Sequence, residues 1–593
     1  MDLINFYQNR IEQYTQQFEN LKIRLNQLSI SRILSFLFIV SLLFCFFFFD
    51  DFGTWFLLGA LAAAVVFLRM VRQYDQTKDE MEFVDKLREI NQNELNLLQN
   101  KPSFLDNGND YKSDDGFLND LDIFGQGSIF HRINRTATKI GLEKLVSAFQ
   151  NPLLEKTRII HNQQIINELS TKAQFKQDLL ANNLLIDRKD DTIKDLLNTI
   201  EAYQYQFEQP FWNLLRWFWS ALAVAVIYLA ISIAEIQLVF FFLIIGLAII
   251  GTIQKKTQKI HQLVSGQRRV LERYSNALQI IDNEPFTNET LSQIKQKNKA
   301  GLIALKELNS IGRLFDQRLN AMVSTLSNGL FLYDIHLVLA IEKWMKKYQF
   351  GVREWFEGLA EIETYNSLAT FKFNHPDYVF PEPQNQELKF EAEDLGHPLL
   401  TDNQRVRNNI SLGTPQRMFL VTGSNMSGKS TFLRTLGVNL LLAQMGSVVC
   451  AKRMEFLPMR LLTSLHQSDS LQENTSYFFA ELKKLKSITK QIENGTVALV
   501  LLDEILRGTN SEDKRYGTQK VIEKLMNFGC LTLIATHDLE LGRLQESHVE
   551  IIENLCFESQ IIENDLLFDY KLRKGVAKNK NATFLLKKME IIS

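Results

Sequence analysis

Net charge is the first thing this sequence lacks: 66 Lys and Arg against 68 Asp and Glu leave a formal charge of -2 over 593 residues. That excludes a polycation gripping nucleic acid through its overall field, so any such grip needs a local basic surface. Cysteine is scarce as well. Cys45, Cys450, Cys530 and Cys556 have no CxxC spacing, which leaves no zinc site and no disulfide framework to read. A cleaved leader is not expected either, because the first apolar run starts after about thirty mostly polar residues and carries no small-residue cleavage pattern.

What is present is a 46% hydrophobic chain long enough for several domains. Charge is also missing from four apolar runs, Ile33 to Phe49, Phe52 to Leu68, Trp217 to Ala234 and Ile236 to Ile253. Each is about long enough to cross a hydrocarbon core of roughly 30 Å. Buried core helices are the alternative, but Phe46 to Phe49 and Val239 to Phe242 offer no polar face to water. The runs form two close pairs, so two transmembrane hairpins are expected (33–49 with 52–68, 217–234 with 236–253). Their inner links are acidic, Asp50-Asp51 and Glu235, while Lys22, Arg24, Arg32, Arg69, Arg72, Lys255, Lys256 and Lys259 flank them outside. Positive flanks mark the cytoplasmic side. The expected location is therefore an inner (cytoplasmic) membrane, with both ends and the middle of the chain in the cytoplasm.

Residues 1–100 read as helices carrying the first hairpin, with apolar spacing at Met81, Val84, Leu87, Ile90 and Leu95. A loop rich in Asp, Asn, Ser and Gly, Pro102 to Gly116, marks a boundary. Residues 117–374 read as one all-α domain interrupted by the second hairpin. From 375 to 593 short β-type runs alternate with helical segments, the α/β plan of a mostly parallel sheet.

The apolar strand Met418 to Thr422 leads into Gly423-Ser424-Asn425-Met426-Ser427-Gly428-Lys429-Ser430-Thr431, a P-loop in its required context. Its glycines let successive N–H groups turn inward, and the following helix N-terminus adds partial positive charge, which together suit phosphate. Lys429 is expected to bridge the β- and γ-phosphates of ATP, Ser430 to place its hydroxyl on Mg²⁺, and Thr431 to cap the first helical turn. A second strand, Val497 to Leu502, ends in Asp503-Glu504. Open α/β sheets bind ligands at such strand ends. Asp503 would hold Mg²⁺, and Glu504 would orient or deprotonate the attacking water. A third strand, Leu531 to Thr536, delivers His537, placed to sense the γ-phosphate or the water.

These residues resemble the MutS family, whose ATPase is related to ABC-transporter engines. The loop Thr422 to Thr431, with Asn425 and Met426 inside it, is similar to that family's P-loop. Asp503 to Thr509 resembles its acidic strand and Gly-Thr turn, although Leu506 stands where glycine is usual. Ala535-Thr536-His537 resembles the family histidine, and Gly396-His397-Pro398 and Tyr570-Lys571-Leu572 resemble other landmarks. Ser476 to Leu482 is similar to the segment that reaches the partner's nucleotide. Ser476 and Asn474 are then trans contacts in a homodimer, or else Thr475 or Ser476 caps the start of an ordinary helix. Asp120 to Gly125, Ile133 to Gly141 and Asn151 to Leu154 look like the start of the family's lever domain.

Departures bear on function. Nothing before residue 117 resembles the mismatch-reading domain, the second hairpin falls where the family inserts its DNA-holding clamp, and no separate dimerisation segment is expected before Ser593. The resemblance implies ATP-driven conformational change. Two classes of load follow: branched or abnormal DNA, as in repair or recombination, or a membrane substrate or protein partner without DNA.

Overall fold

The structure, a computed structural model, describes residues 2–49, 53–113, 116–186, 193–207, 209–265, 268–465, 477–507, 509–562 and 565–578. These divide into two compact units.

The first unit comprises Met1–Leu95, Ala137–Gly141 and Gln174–Glu363, and among its described residues it is built from helices. Leu3–Phe48 runs unbroken because it contains neither proline nor glycine, and Asp2 caps it by accepting from the Ile4 and Asn5 N–H groups at 3.0 and 3.3 Å. Gly53–Leu98 returns alongside it: Arg32 lies over the Tyr74 ring at 4.0 Å, Phe36 meets Phe67 at 6.2 Å, and the Gly59 backbone sits under Leu42. The hairpin therefore extends two polar helices without a break, although Asp50, Asp51 and Phe52 at its tip lie outside the described residues. In the polar halves Tyr14, Val84, Leu87 and Ile90 form a core with Leu180 and Ala181, and Asn91 and Gln177 exchange amide hydrogen bonds at 3.0 and 2.9 Å. The apolar halves are different. Phe36, Leu37, Phe38, Phe44 and Phe47 are all exposed.

The second apolar pair forms Pro210–Ser232 and Gln237–Ser265. Its link is longer than the lone Glu235 of the sequence reading, because the helix already ends at Ser232 and Ala234 turns with φ 57°. Among the described residues four helices, two from each pair, are thus long and apolar enough to cross a membrane. Glu363 ties part of this unit together. Its buried carboxylate accepts from the Ala137 and Thr138 N–H groups at 3.1 and 3.4 Å, from Asn183 at 3.1 Å and from the Thr138 hydroxyl, at the start of helix Lys139–Gln150. Burial pushes this carboxyl above its ordinary range.

The second unit comprises Asn96–Thr136, Leu142–Ala173 and Thr364–Ser593. Helix Val352–Asn374 ends where strand-type sequence was expected to begin, and ten strands follow among the described residues. They are β1 (Glu382–Pro383), β2 (Lys389–Leu395), β3 (Asn408–Gly413), β4 (Met418–Thr422), β5 (Arg453–Phe456), β6 (Arg460–Ser464), β7 (Ala498–Asp503), β8 (Leu531–Thr536), β9 (Ile552–Ile562) and β10 (Asp565–Lys574). A four-stranded sheet has the order β1-β5-β2-β3, and a six-stranded sheet the order β10-β9-β4-β8-β7-β6. In the larger sheet β6, β7, β8, β4 and β9 are parallel, and β10 closes the edge antiparallel to β9. Parallel strands need helical crossovers that cover both faces. Accordingly β4, β7 and β8 are buried at every position, and helices Lys429–Gln444, Tyr477–Glu493 and Ser511–Leu525 connect strands.

One buried carboxylate anchors this unit's N-terminal segment. Asp120 accepts from the Thr463 hydroxyl at 2.5 Å, the Leu465 N–H at 3.2 Å and the Lys484 ammonium at 2.8 Å, while its carbonyl takes Arg434 at 3.1 Å. Residues more than three hundred positions apart are joined at one point.

His375 and His397 give this unit a pH dependence. Burial lowers each ring from an ordinary 6.5 to about 4. The unfolded chain takes up both protons near 6.5 and the folded one only near 4, so stability is full above about pH 6.5 and lost as pH falls towards 4, by on the order of 1–3 kcal/mol per ring. The melting temperature, followed from pH 7 to 4.5, should drop over that window, and His375→Asn with His397→Asn should flatten the slope. An unchanged slope would mean that other groups control acid lability.

Candidate functional site

Strand β4 ends at Thr422, and the chain turns through Gly423 to Gly428 before helix Lys429–Gln444 begins. Gly428 occupies the cap position with φ 100°, and a Cβ there would lie 3.0 Å from the Tyr570 ring, so the turn requires glycine on both counts. The helix has no side-chain cap, which leaves its first N–H groups for a ligand. Thr431, expected as the cap, instead lies within the first turn; Gly428 takes the cap because only the left-handed conformation redirects the chain there. Asn425 and Met426 are exposed at the crest of the loop, and Met426 itself has φ 68°. Inside, the Lys429 ammonium donates to the Gly423 and Ser424 carbonyls, both at 2.9 Å, and the Ser427 N–H donates to Ser424 at 3.3 Å.

Strand β7 brings Asp503 to this loop. The Ser430 hydroxyl is hydrogen-bonded to Asp503 Oδ2, so the two motifs meet directly. Asp503 Oδ1 is buried and has no hydrogen-bond partner. Burial pushes this carboxyl above its ordinary range, partly offset by the Ser430 hydrogen bond. A desolvated oxygen beside a serine hydroxyl forms a hard-oxygen donor pair that suits Mg²⁺, an ion commonly held by one or two carboxylates together with substrate phosphates. Among the described residues no cluster of three or more His, Cys, Asp or Glu side chains forms an all-protein metal cage. Burial also lowers the Lys429 ammonium, against which Glu504 and Asp503 act to raise it.

Glu504 sits at the next position with φ 46°, a conformation that costs a non-glycine residue energy and recurs at active sites. Its N–H is held by the Ala535 carbonyl at 2.9 Å, which ties the turn to β8. Its carboxylate lies 4.0 Å from the Lys429 ammonium, 2.9 Å from Arg507 and 3.5 Å from His537 Nδ1. The structure therefore brings together Lys429, Ser430, Asp503, Glu504 and His537. Ser476, the expected trans contact, lies outside the described residues, as do Asn474 and Gly508.

Three further residues shape the site. Glu481, on helix Tyr477–Glu493, accepts the Leu506 N–H at 2.6 Å and so fixes the turn that carries Glu504 and Arg507. Leu506 adopts φ 62°, a conformation in which glycine would be unstrained, and its side chain is buried, with the Gly517 backbone making room for it. Tyr570 closes over Gly428 from a bulge between β9 and β10 whose backbone Asn408 holds at 3.0 and 2.9 Å. Glu481 and Tyr570 lay in segments already singled out by resemblance, but no spacing rule assigned them a role.

A family model for MutS domain V matches residues 419–589. MutS domain V is a P-loop ATPase domain. The chain is 34% identical over 238 residues to the DNA mismatch repair protein MutS of Thermotoga maritima, covering 39% of this chain and 29% of that protein. It is 28% identical over 313 residues to the same-named protein of Thermotoga neapolitana, 52% of this chain and 35% of the other. With human MutS protein homolog 4 it shares 33% identity over 227 residues, 37% of this chain and 23% of the relative. The chain thus spans about a third or less of the length of these relatives.

Glu481→Ala removes the acceptor of a buried N–H and should destabilise this unit by about 1–3 kcal/mol. Melting of the purified variant, with nucleotide turnover alongside, checks this; full stability and full turnover would show that Glu481 does not hold the Leu506 turn.

Proposed function

The chain belongs to the MutS family through its ATPase domain, and from that premise we propose that it is a membrane-anchored ATPase that binds and hydrolyses ATP to drive a conformational change. The contact between Ser430 and Asp503, beside Lys429 and Glu504, carries this reading. Lys429 holds the β- and γ-phosphates, and the loop N–H groups with the helix N-terminus hold the remaining charge. Mg²⁺ would be held by Ser430 and Asp503, where it neutralises phosphate charge. Glu504 orients the attacking water and takes its proton, with His537 placed beside it. Two chains pair through their ATPase domains, each completing the other's site through Ser476, and ATP binding draws them together.

Each of the four long helices carries an apolar, largely exposed stretch, which supports insertion as two hairpins. Basic flanks put the ATPase on the cytoplasmic side. The name of the Thermotoga relatives, DNA mismatch repair protein MutS, supports DNA as the load. The exposed apolar helices favour a second reading, an ABC-like membrane motor or a partner-remodelling ATPase that does not bind DNA.

Glu504→Gln should keep ATP binding and cut turnover by about 10²–10⁴; undiminished turnover would remove Glu504 from the role. Turnover of the lipid-reconstituted chain with linear, mismatched and branched DNA separates the loads. Stimulation by branched or mismatched DNA is expected, and no stimulation with no salt-sensitive binding would leave the second reading.

A further inference from the structure

Helix Ala321–Phe331 is too short to cross a bilayer, yet it is apolar and bends by 84° into Tyr333–Tyr348. Its neighbours fix its depth. A Cβ on Gly246 would lie 2.0 Å from the Gly329 carbonyl oxygen, so two helix backbones touch there. Gly246 stands about 13 Å of helix before the flanking Lys255. From the other side Trp219, about 5 Å of helix beyond Arg216, donates its indole N–H to the same carbonyl at 3.3 Å and stacks on Phe242 at 4.3 Å. Half of a hydrocarbon core is about 15 Å deep, so Gly329 falls within the leaflet that these basic residues border.

We propose that Ala321–Phe331 is a re-entrant element that enters this leaflet and contacts lipid acyl chains, beyond the four spans. This rests on the membrane insertion proposed above. Irregular backbone at such depth must have its polar groups satisfied by protein, and three N–H groups at the break are. At the left-handed, fully buried Leu332 the N–H donates to the Asn328 carbonyl at 3.0 Å, the Asp334 N–H donates to the Asn328 side chain at 2.8 Å, and the Ile335 N–H donates to the Leu332 carbonyl at 2.9 Å. The buried Asp334 carboxylate is neutralised by Arg318 at 3.0 Å and takes the Asn328 amide at 3.2 Å. Meanwhile Met322, 74% exposed, and Val323, Leu326 and Phe331 turn apolar side chains outward, continuing the lipid-facing surface of the spans.

The test attaches a fluorophore to Met322→Cys in the full chain with Cys45→Ser, the other three cysteines being buried. Phe240→Cys serves as span control and Tyr516→Cys as ATPase-domain control. In nanodiscs containing acyl-chain-brominated phospholipid, the Met322 label should be quenched to within about twofold of the Phe240 label, with the Tyr516 label unquenched. Quenching at Phe240 but not at Met322, with Met322 open to aqueous iodide, would overturn the re-entrant element alone. No quenching at Phe240 either would overturn the membrane reading beneath it.

Discussion

Asp503 ends a strand that is buried at every position, and burial makes its charge costly. One oxygen is held by Ser430 and the other has no hydrogen-bond partner. A buried, half-paired carboxylate is strongly unfavourable unless a cation or proton meets it. The larger sheet exists in a form that places this group beside the glycine turn: β7 is separated from β4 only by β8, and the Glu504 N–H on β8's Ala535 carbonyl locks the turn that follows. Strain at Glu504 and Leu506 is tolerated because Ala535 and Glu481 fix the backbone on either side.

Solvent sets a second constraint, in the first unit. Rows of exposed phenylalanine and leucine would each forfeit about 25 cal/mol per Å² of apolar surface in water. Two hairpins with polar, well-packed bases and bare apolar ends are therefore consistent with a lipid environment. The same helices that begin as polar bundle members continue into that surface without a break.

Local patterns were legible in the sequence, and long-range pairings were not. The strand, glycine turn and helix of 418–442 are contiguous, so residue order alone revealed the P-loop motif, and the placing of Asp503-Glu504 at a strand end followed from an apolar run ending in acids. The change from helix to strand after Asn374 was visible as a change of texture. Asp120 stood in a stretch singled out by resemblance but could not be read as an anchor, since its partners Thr463 and Lys484 are distant in the chain. Ala321–Phe331 was legible as helix, but not its close approach to Gly246 and Trp219, which are distant in the chain from their contact at Gly329. Leu506 was noticed as a departure, but its cause, a side chain buried against Gly517 at positive φ, needed coordinates.

The most direct measurement of the central claim is calorimetric titration of ATP into the lipid-reconstituted chain with and without Mg²⁺, for the wild type and for Ser430→Ala. The Ser430–Asp503 pair should make Mg²⁺ tighten ATP binding at least about tenfold, or about 1.4 kcal/mol, and Ser430→Ala should erase most of that gain. ATP affinity indifferent to Mg²⁺ in the wild type, or a gain that survives in Ser430→Ala, would contradict the account.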